Sequence, residues 1–187
     1  MKEYGADKVA VHVVAFDEIV PIMIEANRHQ DLQSVRWYGS DGSARHEGLI
    51  RNVEAAEFAV KTNFLNPIYG EGTSDGFKKL RARIVEEIGT VPRSYAEVTY
   101  DEFWVAALTL SNYTGAQQEG TGSLRQAFIN TSNLYTGVTG RTELNDAGDR
   151  KYGSYDFWAV RTPSIHVEKK GSFEWANVAA YPIASEN

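Results

Sequence analysis

The segment Lys8-Val-Ala-Val-His-Val-Val-Ala-Phe16 begins the part of the chain that decides its fold. It is rich in β-branched residues and bounded by polar ones, which predicts a strand buried on both faces, as in a parallel sheet. From Asp17 to Arg28 apolar residues recur at helical spacing, and Pro21 falls in the first turn, where proline is tolerated. Ser34-Val-Arg-Trp-Tyr38 predicts a second strand that ends at Gly39-Ser-Asp-Gly42. The order strand, helix, strand predicts a βαβ unit.

Helical patterns dominate the middle of the chain. The apolar spacing predicts a helix from Thr73 to Ile88 that ends at Gly89. Thr99 and Glu102 match a capping box, which predicts a helix over residues 100–112. That helix is apolar almost all round, so we expect it to be mostly buried.

Weaker patterns flank these two helices. A further helix is expected over residues 123–131. Residues 52–61 predict a helix or a helix-to-strand passage, and residues 63–69 predict extended chain.

The end of the chain returns to strand patterns. Residues 137–150 and 152–160 form two strand-like runs, joined by a turn at Asn145-Asp146-Ala147-Gly148-Asp149. Ile165-His-Val-Glu168 and residues 172–178 predict two more strands, with a Lys169-Lys170-Gly171 turn between them. The predicted fold class is therefore α/β, with a βαβ unit, helices and closing antiparallel strands.

Composition limits the function. The 187 residues carry a net charge of −6, which argues against a nucleic-acid partner because phosphate binding needs a concentrated basic surface. Cysteine is absent, which removes disulfides, thiolate nucleophiles and cysteine metal sites. No apolar run reaches the roughly 20 residues of a membrane span, and the first residues lack the apolar core of a signal peptide.

Catalytic and metal-binding motifs are not evident. The loop Gly70–Gly76 superficially resembles a phosphate loop, but its acidic residues predict a plain loop. His12, His29, His46 and His166 have no metal-ligand spacing, and no Gly-x-Ser-x-Gly nucleophile motif occurs. The acidic turn at residues 145–149 lacks the spaced carboxylates of a calcium loop. We expect no enzyme, no cofactor and no metal.

Two short segments follow the predicted parallel strands, namely Phe16-Asp17-Glu18 and Ser40-Asp41-Gly42. In open α/β sheets ligands bind beyond the carboxyl ends of the strands, so both are candidate site segments by position. For Asp17 and Glu18 the alternative is simple helix capping, because the helix dipole favours acidic residues there.

Several segments together resemble one family, the type I periplasmic solute-binding proteins, and within it the branched-chain amino acid receptors of ABC transporters. The segments are Val11-His-Val-Val-Ala-Phe-Asp-Glu18, Arg36-Trp-Tyr-Gly-Ser-Asp-Gly42, Thr99-Tyr-Asp-Glu-Phe-Trp104, and Gly140-Arg-Thr-Glu-Leu-Asn-Asp-Ala-Gly-Asp-Arg150 through Val160. They occur in the order that the family shows.

The resemblance implies a partial type I fold that corresponds to the C-terminal half of such a receptor. Residues 1–42 would belong to lobe 2, residues 43–144 to lobe 1 and residues 145–187 again to lobe 2. The lobes would close about hinges near residues 39–43 and 144–150.

The same resemblance implies site residues. Phe16 and Glu18 would form the lobe 2 wall of the ligand site, where a carboxylate could pair with the ammonium of an amino acid. Asp41 would mark the hinge entry. Tyr95 and Tyr100 would lie near an aromatic wall of lobe 1, and for both tyrosines ordinary packing beside a helix is an equal alternative.

The implied function is the binding of amino acids or related small solutes by a periplasmic or cell-surface receptor, with an ABC permease as partner of the full-length protein. The signal peptide would be absent from this chain. One alternative is a sensory ligand-binding domain of the same fold. Another is a truncated fragment without a competent pocket, which would form homodimers through the apolar surface left exposed.

Overall fold

The computed structural model describes residues 4–92, 95–116, 123–163 and 172–184. The predicted strand at residues 165–168, with His166, and the Lys169-Lys170-Gly171 turn lie outside the described residues. The helices are α1 (Ile19–Ala26), α2 (Gln30–Gln33), α3 (Glu47–Arg51), α4 (Val53–Lys61), α5 (Asp75–Ile88), α6 (Tyr95–Ala116) and α7 (Leu124–Leu134). The strands are β1 (Ala10–His12), β2 (Arg36–Tyr38), β3 (Leu65–Tyr69), β4 (Thr136–Gly137), β5 (Gly140–Arg141), β6 (Gly153–Arg161) and β7 (Glu174–Ala184). The chain is α/β, as predicted.

The chain forms two compact units. Unit 1 comprises Met1–Ile68 and Asp156–Tyr181, and unit 2 comprises Tyr69–Tyr155 and Pro182–Asn187. The expected boundaries followed residues 42 and 144. The structure instead groups residues 43–68 with unit 1, because α4 packs against α1 and α3. The assignment of either unit to a receptor lobe stays a prediction.

The predicted βαβ unit is confirmed in unit 1. Strands β1 and β2 are parallel, with Val11 opposite Trp37, and β2 is also parallel to β3. The strand order of the sheet is β1-β2-β3-β6-β7. The carboxyl ends of β1, β2 and β3 therefore lie at the same edge of the sheet.

The expectation that the first strand is buried on both faces is wrong. β1 is an edge strand, and side chains alternate along it and the segment that follows it: Val11, Val13 and Ala15 face the core, whereas Val14 and Phe16 are exposed. A strand covered by helices on one face only gives this period of two. The apolar run was compatible with either arrangement, because both of its alternating faces carry apolar residues.

The core of unit 1 lies between the sheet and its helices. The ring of Trp37 on β2 meets the ring of Phe58 on α4 edge to face, with centroids 5.2 Å apart. Around this pair are fully buried residues from α1, α3, α4 and the position before β3, namely Ile19, Met23, Leu49, Ala55, Ala59 and Phe64. Apolar burial of this kind is the main favourable term in folding.

Unit 2 contains the long helices. The predicted helix before Gly89 is confirmed as α5, whose first turn is capped by the Ser74 hydroxyl accepting from the backbone N–H of Phe77. Gly89 ends α5 in the left-handed conformation, with φ of 73°. The helix predicted over residues 123–131 is confirmed as α7, with Ser123 as its N-cap.

The capping box predicted for α6 is wrong. The helix begins at Tyr95, so Thr99 lies within it and donates its hydroxyl hydrogen to the carbonyl oxygen of Tyr95 at 2.9 Å. The expectation that α6 is mostly buried is also wrong. Its inward face carries Val98, Asp101, Val105 and Thr109, whereas Phe103 is 66% exposed and Leu110 is 55% exposed.

Short strands and a turn complete unit 2. Strands β4 and β5 form an antiparallel hairpin, and Leu144 pairs antiparallel with Arg150. The turn predicted between these last two residues is confirmed: the side-chain oxygen of Asn145 accepts from the backbone N–H groups of Ala147 and Asp149. Within the described part of the chain, no helix combines the length and hydropathy needed to span a membrane.

Candidate ligand-binding site

The first candidate loop joins β1 to α1. Phe16 in this loop is 67% exposed. The backbone N–H of Phe16 donates to Oε2 of Glu18 at 2.9 Å, and Glu18 occupies the N-cap position of α1. The carboxylate of Glu18 is therefore held close to the Phe16 backbone by a local hydrogen bond.

The second candidate loop, residues 39–46, follows β2 and is fastened to β3. The hydroxyl of fully buried Ser43 lies 2.7 Å from Oδ1 of fully buried Asn66 and 3.1 Å from the carbonyl oxygen of Ser40. A Cβ atom at Gly39 would lie 2.0 Å from Oδ1 of Asn66, so only glycine fits there. These contacts fix the loop that carries Asp41.

The two loops are in contact with each other. A Cβ atom at Gly42 would lie 2.8 Å from the carbonyl oxygen of Ala15 and 2.9 Å from the ring of Phe16. Nε2 of His46 lies 2.7 Å from Oδ1 of Asp17, which joins the loops through their side chains. The structure thus brings together the two segments that the sequence singled out, although their role in ligand binding stays a prediction.

Two tryptophans support the second loop from the other end of the sheet. The guanidinium of Arg45 lies 4.6 Å from the ring centroid of Trp158 on β6, a favourable cation–π distance. The indole N–H of Trp175 on β7 donates to the carbonyl oxygen of His46 at 3.0 Å. The loop is therefore held by residues far from it in sequence.

His46 is the residue that sequence reasoning missed. It has no histidine at ligand spacing, and its partner Asp17 precedes it by 29 positions. No spacing rule links two such positions. The only signal was that each lies after a parallel strand.

This edge of unit 1 carries acidic side chains beside an exposed aromatic ring. Asp17, Glu18 and Asp41 place carboxylates there, and Phe16 places an exposed ring among them. Such carboxylates attract an ammonium, and the ring can cover an aliphatic group. Among the described residues, no group of three or more histidine, aspartate or glutamate side chains is gathered to hold a metal ion.

The remaining predicted site residues, Tyr95 and Tyr100, lie on α6 in unit 2. Both are partly exposed, and the ring of Tyr100 meets that of Trp104 edge to face at 6.3 Å. Their predicted place beside a ligand stays a prediction.

Unit 2 also contains a partly buried ionic cluster that sequence reasoning missed. Nε of Arg81 lies 2.7 Å from Oε1 of Glu97, which is fully buried, and Nη1 of Arg81 lies 2.5 Å from Oε2 of Glu71. Burial acts to lower the pKa of Arg81, but its hydrogen bonds to Glu97 and Glu71 outweigh burial and raise that pKa above its ordinary value. The cluster joins α5 and α6 to the loop before α5.

A cavity of about 510 Å³ lies between α6 and α7 in unit 2. Its walls combine apolar side chains such as Leu108 and Leu134 with the amides of Asn112, Gln126 and Asn130. Burial raises the pKa of Tyr135, which also lines it. None of the five residues predicted to bind a ligand lines this cavity.

Known proteins resemble the chain over part of their length. It is 26% identical over 156 residues to the uncharacterized protein MJ1266 of Methanocaldococcus jannaschii, a match that covers 79% of the chain and 37% of that protein. The solved leucine-binding protein LivK of Thermotoga maritima superposes with a TM-score of 0.52 at 15% identity, covering 92% of the chain and 44% of LivK. No protein-family profile matches the sequence.

The chain thus spans less than half the length of both proteins. The structural match nevertheless extends over 92% of the chain. The chain has part of a periplasmic-binding-protein-like α/β fold.

Proposed function

We propose that this chain is part of a receptor that binds amino acids or related small solutes outside the cytoplasm and delivers them to an ABC permease. The solved neighbour is described as a leucine-binding protein, which favours a binding role over a catalytic one. The observation that carries the proposal is the contact between the two loops at the carboxyl ends of β1 and β2.

Each group at these loops has a defined part in the proposal. Glu18 keeps one oxygen on the backbone N–H of Phe16, and its carboxylate charge pairs with the ligand's ammonium. The exposed ring of Phe16 packs on the ligand's apolar side chain. Asp17 is engaged with His46 and positions the second loop, which carries Asp41.

The test is calorimetric titration of the chain, and of any longer polypeptide that contains it, with leucine, isoleucine, valine and polar amino acids. We expect Glu18→Gln to weaken binding by about tenfold or more, since the loss of a hydrogen-bonded charge pair costs about 1.5–3 kcal/mol. Glu25→Gln is the matched control. Glu25 also lies on α1, but its carboxylate pairs with Arg28 and His29 rather than with the loop that carries Phe16. Equal affinities of Glu18→Gln and the unsubstituted chain would remove Glu18 from the site.

A second substitution separates the apolar contact from the ionic one. Phe16→Ala removes an exposed ring, so it leaves folding intact and weakens binding of leucine more than binding of alanine. An equal loss for both ligands would contradict the assigned part of Phe16.

A further inference from the structure

His46 connects the two candidate loops through its imidazole ring. Its Nε2 atom lies 2.7 Å from Oδ1 of Asp17. An ionised carboxylate only accepts hydrogen bonds, so Nε2 carries the hydrogen and donates it. The side chain of Asp17 is 95% exposed, whereas that of His46 is only 16% exposed. The position of the exposed carboxylate is therefore fixed by a partner that is mostly buried.

The ring of His46 is held on its other sides as well. Its Nδ1 atom is buried and has no hydrogen-bond partner within the described residues. A Cβ atom at Gly48 would lie 2.7 Å from Cε1 of the ring and 3.2 Å from Nδ1, so glycine in the first turn of α3 leaves room for the ring. The backbone carbonyl oxygen of His46 accepts from the indole N–H of Trp175 at 3.0 Å. The ring is therefore held in one orientation, with Nε2 toward Asp17.

The two adjacent carboxylates of the first loop have different partners. Asp17 meets an imidazole, whereas Oε2 of Glu18 accepts from the backbone N–H of Phe16 at 2.9 Å. A backbone N–H leaves the negative charge of Glu18 available to a cation, and a carboxylate forms its strongest hydrogen bonds with ionised donors. The contact with His46 therefore occupies Asp17 and leaves Glu18 to meet an ammonium.

We propose that His46 is a positioning residue of the candidate ligand site and determines its specificity by occupying Asp17. While Asp17 is bound to His46, one carboxylate of the adjacent pair is left for the ligand, which suits a ligand with a single ammonium. When Asp17 is released, the same place offers two carboxylates and suits a ligand with two ammonium groups, such as lysine. The inference rests on the proposed amino acid-binding function and adds the residue that sets the charge preference of that site.

The contact itself is tested without ligand by isotope-edited NMR of the imidazole nitrogens, with the His46 signals assigned by their loss in His46→Gln. We expect His46 to carry its hydrogen on Nε2, because the hydrogen bond selects the tautomer. Asp17→Ala should shift these signals and speed amide hydrogen exchange in residues 39–46. His46 signals that are the same in Asp17→Ala and in the unsubstituted chain would overturn the proposal.

Calorimetric titration with leucine and with lysine tests the specificity. We expect His46→Ala to weaken leucine binding by about threefold to tenfold, since the loops are no longer held in place for the ligand. Lysine binding should fall less, so the ratio of lysine affinity to leucine affinity should rise about threefold to fivefold, the size expected of one exposed ion pair. Adding Asp17→Asn to His46→Ala should return the ratio to its original value, because the second carboxylate is then gone.

Two further variants separate this role from a merely structural one. His46→Gln keeps a side-chain N–H that can donate to Asp17, so it should restore most of the leucine affinity and the original ratio. His29→Ala should leave both affinities unchanged, because Nε2 of His29 lies 3.5 Å from Oε1 of Glu25, outside both loops. Equal losses for leucine and lysine in His46→Ala would overturn the proposal while leaving amino acid binding intact. Failure of the unsubstituted chain to bind either amino acid would instead contradict the proposed receptor function, and this inference with it.

Discussion

The interiors of the two units are built from different chemistry. In unit 1 most of the fully buried residues are apolar, with Phe58, Leu49 and Met23 between the helices and the sheet, and the polar residues Ser43 and Asn66 are uncharged. In unit 2 the buried side of α6 carries two carboxylates, of Glu97 and Asp101. Apolar burial stabilises through area and packing, whereas buried carboxylates stabilise only while their hydrogen bonds are intact.

The same contrast separates their surfaces. Unit 1 presents the carboxylates of Asp17, Glu18 and Asp41 at the strand ends, where Asp17 is almost fully exposed. Unit 2 buries acidic side chains and exposes aromatic ones along α6. Substitutions should therefore lower the free energy of unfolding for different reasons in the two units. In unit 1 they remove packing contacts, and in unit 2 they remove hydrogen-bond partners.

The largest effect is expected for Phe58→Ala in unit 1. Phe58 is 1% exposed and meets Trp37 edge to face. Removing a buried aromatic ring costs about 3–5 kcal/mol of unfolding free energy, because the cavity is only partly filled by relaxation. Urea unfolding followed by circular dichroism measures the loss, and amide hydrogen exchange locates it in α1 and α4.

The control for that experiment lies on the same helix. Val53 begins α4 and is 48% exposed, so Val53→Ala should stay within about 0.5 kcal/mol of the unsubstituted chain. A similar loss for both variants would mean that the interior of unit 1 does not depend on packing around Phe58.

A smaller effect, of a different kind, is expected for Asp101→Ala in unit 2. The substitution leaves the N–H groups of Val138 and Thr139 without their acceptor. An unpaired buried group costs about 1–3 kcal/mol, and because these two residues are only partly buried we expect a total in the lower part of the summed range, about 2–4 kcal/mol. Unfolding in urea gives the total, and faster hydrogen exchange of these two amides shows its origin.

Two further variants separate the hydrogen bonds from the charge. Asp101→Asn keeps one carbonyl oxygen as acceptor and should lose about half as much as Asp101→Ala. Glu102→Ala changes the neighbouring exposed carboxylate and should cost little. If Asp101→Ala proved as mild as Glu102→Ala, the polar interior of unit 2 would be of no consequence for stability.

Much of the fold could be predicted from local patterns. The βαβ unit, α5 with Gly89 at its end, and the Asn145 turn each follow from residue types that act within a few positions. The start of α6 could not be predicted in this way, because a capping signal at Thr99 resembles a helix interior in which the hydroxyl bonds back to Tyr95. Periodicity identified α6 as a helix but could not tell which face is inward, since that depends on Asp101 meeting a hairpin 37 positions away.

The part of the candidate site that could be predicted is the part that follows from strand topology. Parallel strands bring their carboxyl ends to one edge, and this alone placed Phe16 and Glu18 near Asp41. The contact of Asp17 with His46 depends on how the second loop folds over the first, which involves Asn66, Trp158 and Trp175 from three later strands. No local pattern carries that information.

The smallest effect concerns a surface ion pair of unit 2. Oε1 of Glu143 accepts from Nζ of Lys151 at 2.7 Å. This hydrogen bond lowers the pKa of Glu143 below its ordinary value, and the same partner raises the pKa of Lys151. The stability that comes from Glu143 is therefore present above the ordinary carboxyl pKa and is lost as the pH falls through its lowered pKa. The part that comes from Lys151 is present below the ordinary lysine pKa and is lost as the pH rises through its raised pKa.

Glu143→Gln should consequently lower the unfolding free energy at neutral pH by a small amount, and the difference from the unsubstituted chain should shrink at both acidic and alkaline pH. Unfolding in urea at a series of pH values measures that difference, and added salt should reduce it at neutral pH because exposed pairs are screened. A difference that stays constant with pH would assign the effect of Glu143 to packing rather than charge. It would also weaken the comparison between the units, because a charged residue of unit 2 would then contribute to stability through packing, as Phe58 does in unit 1.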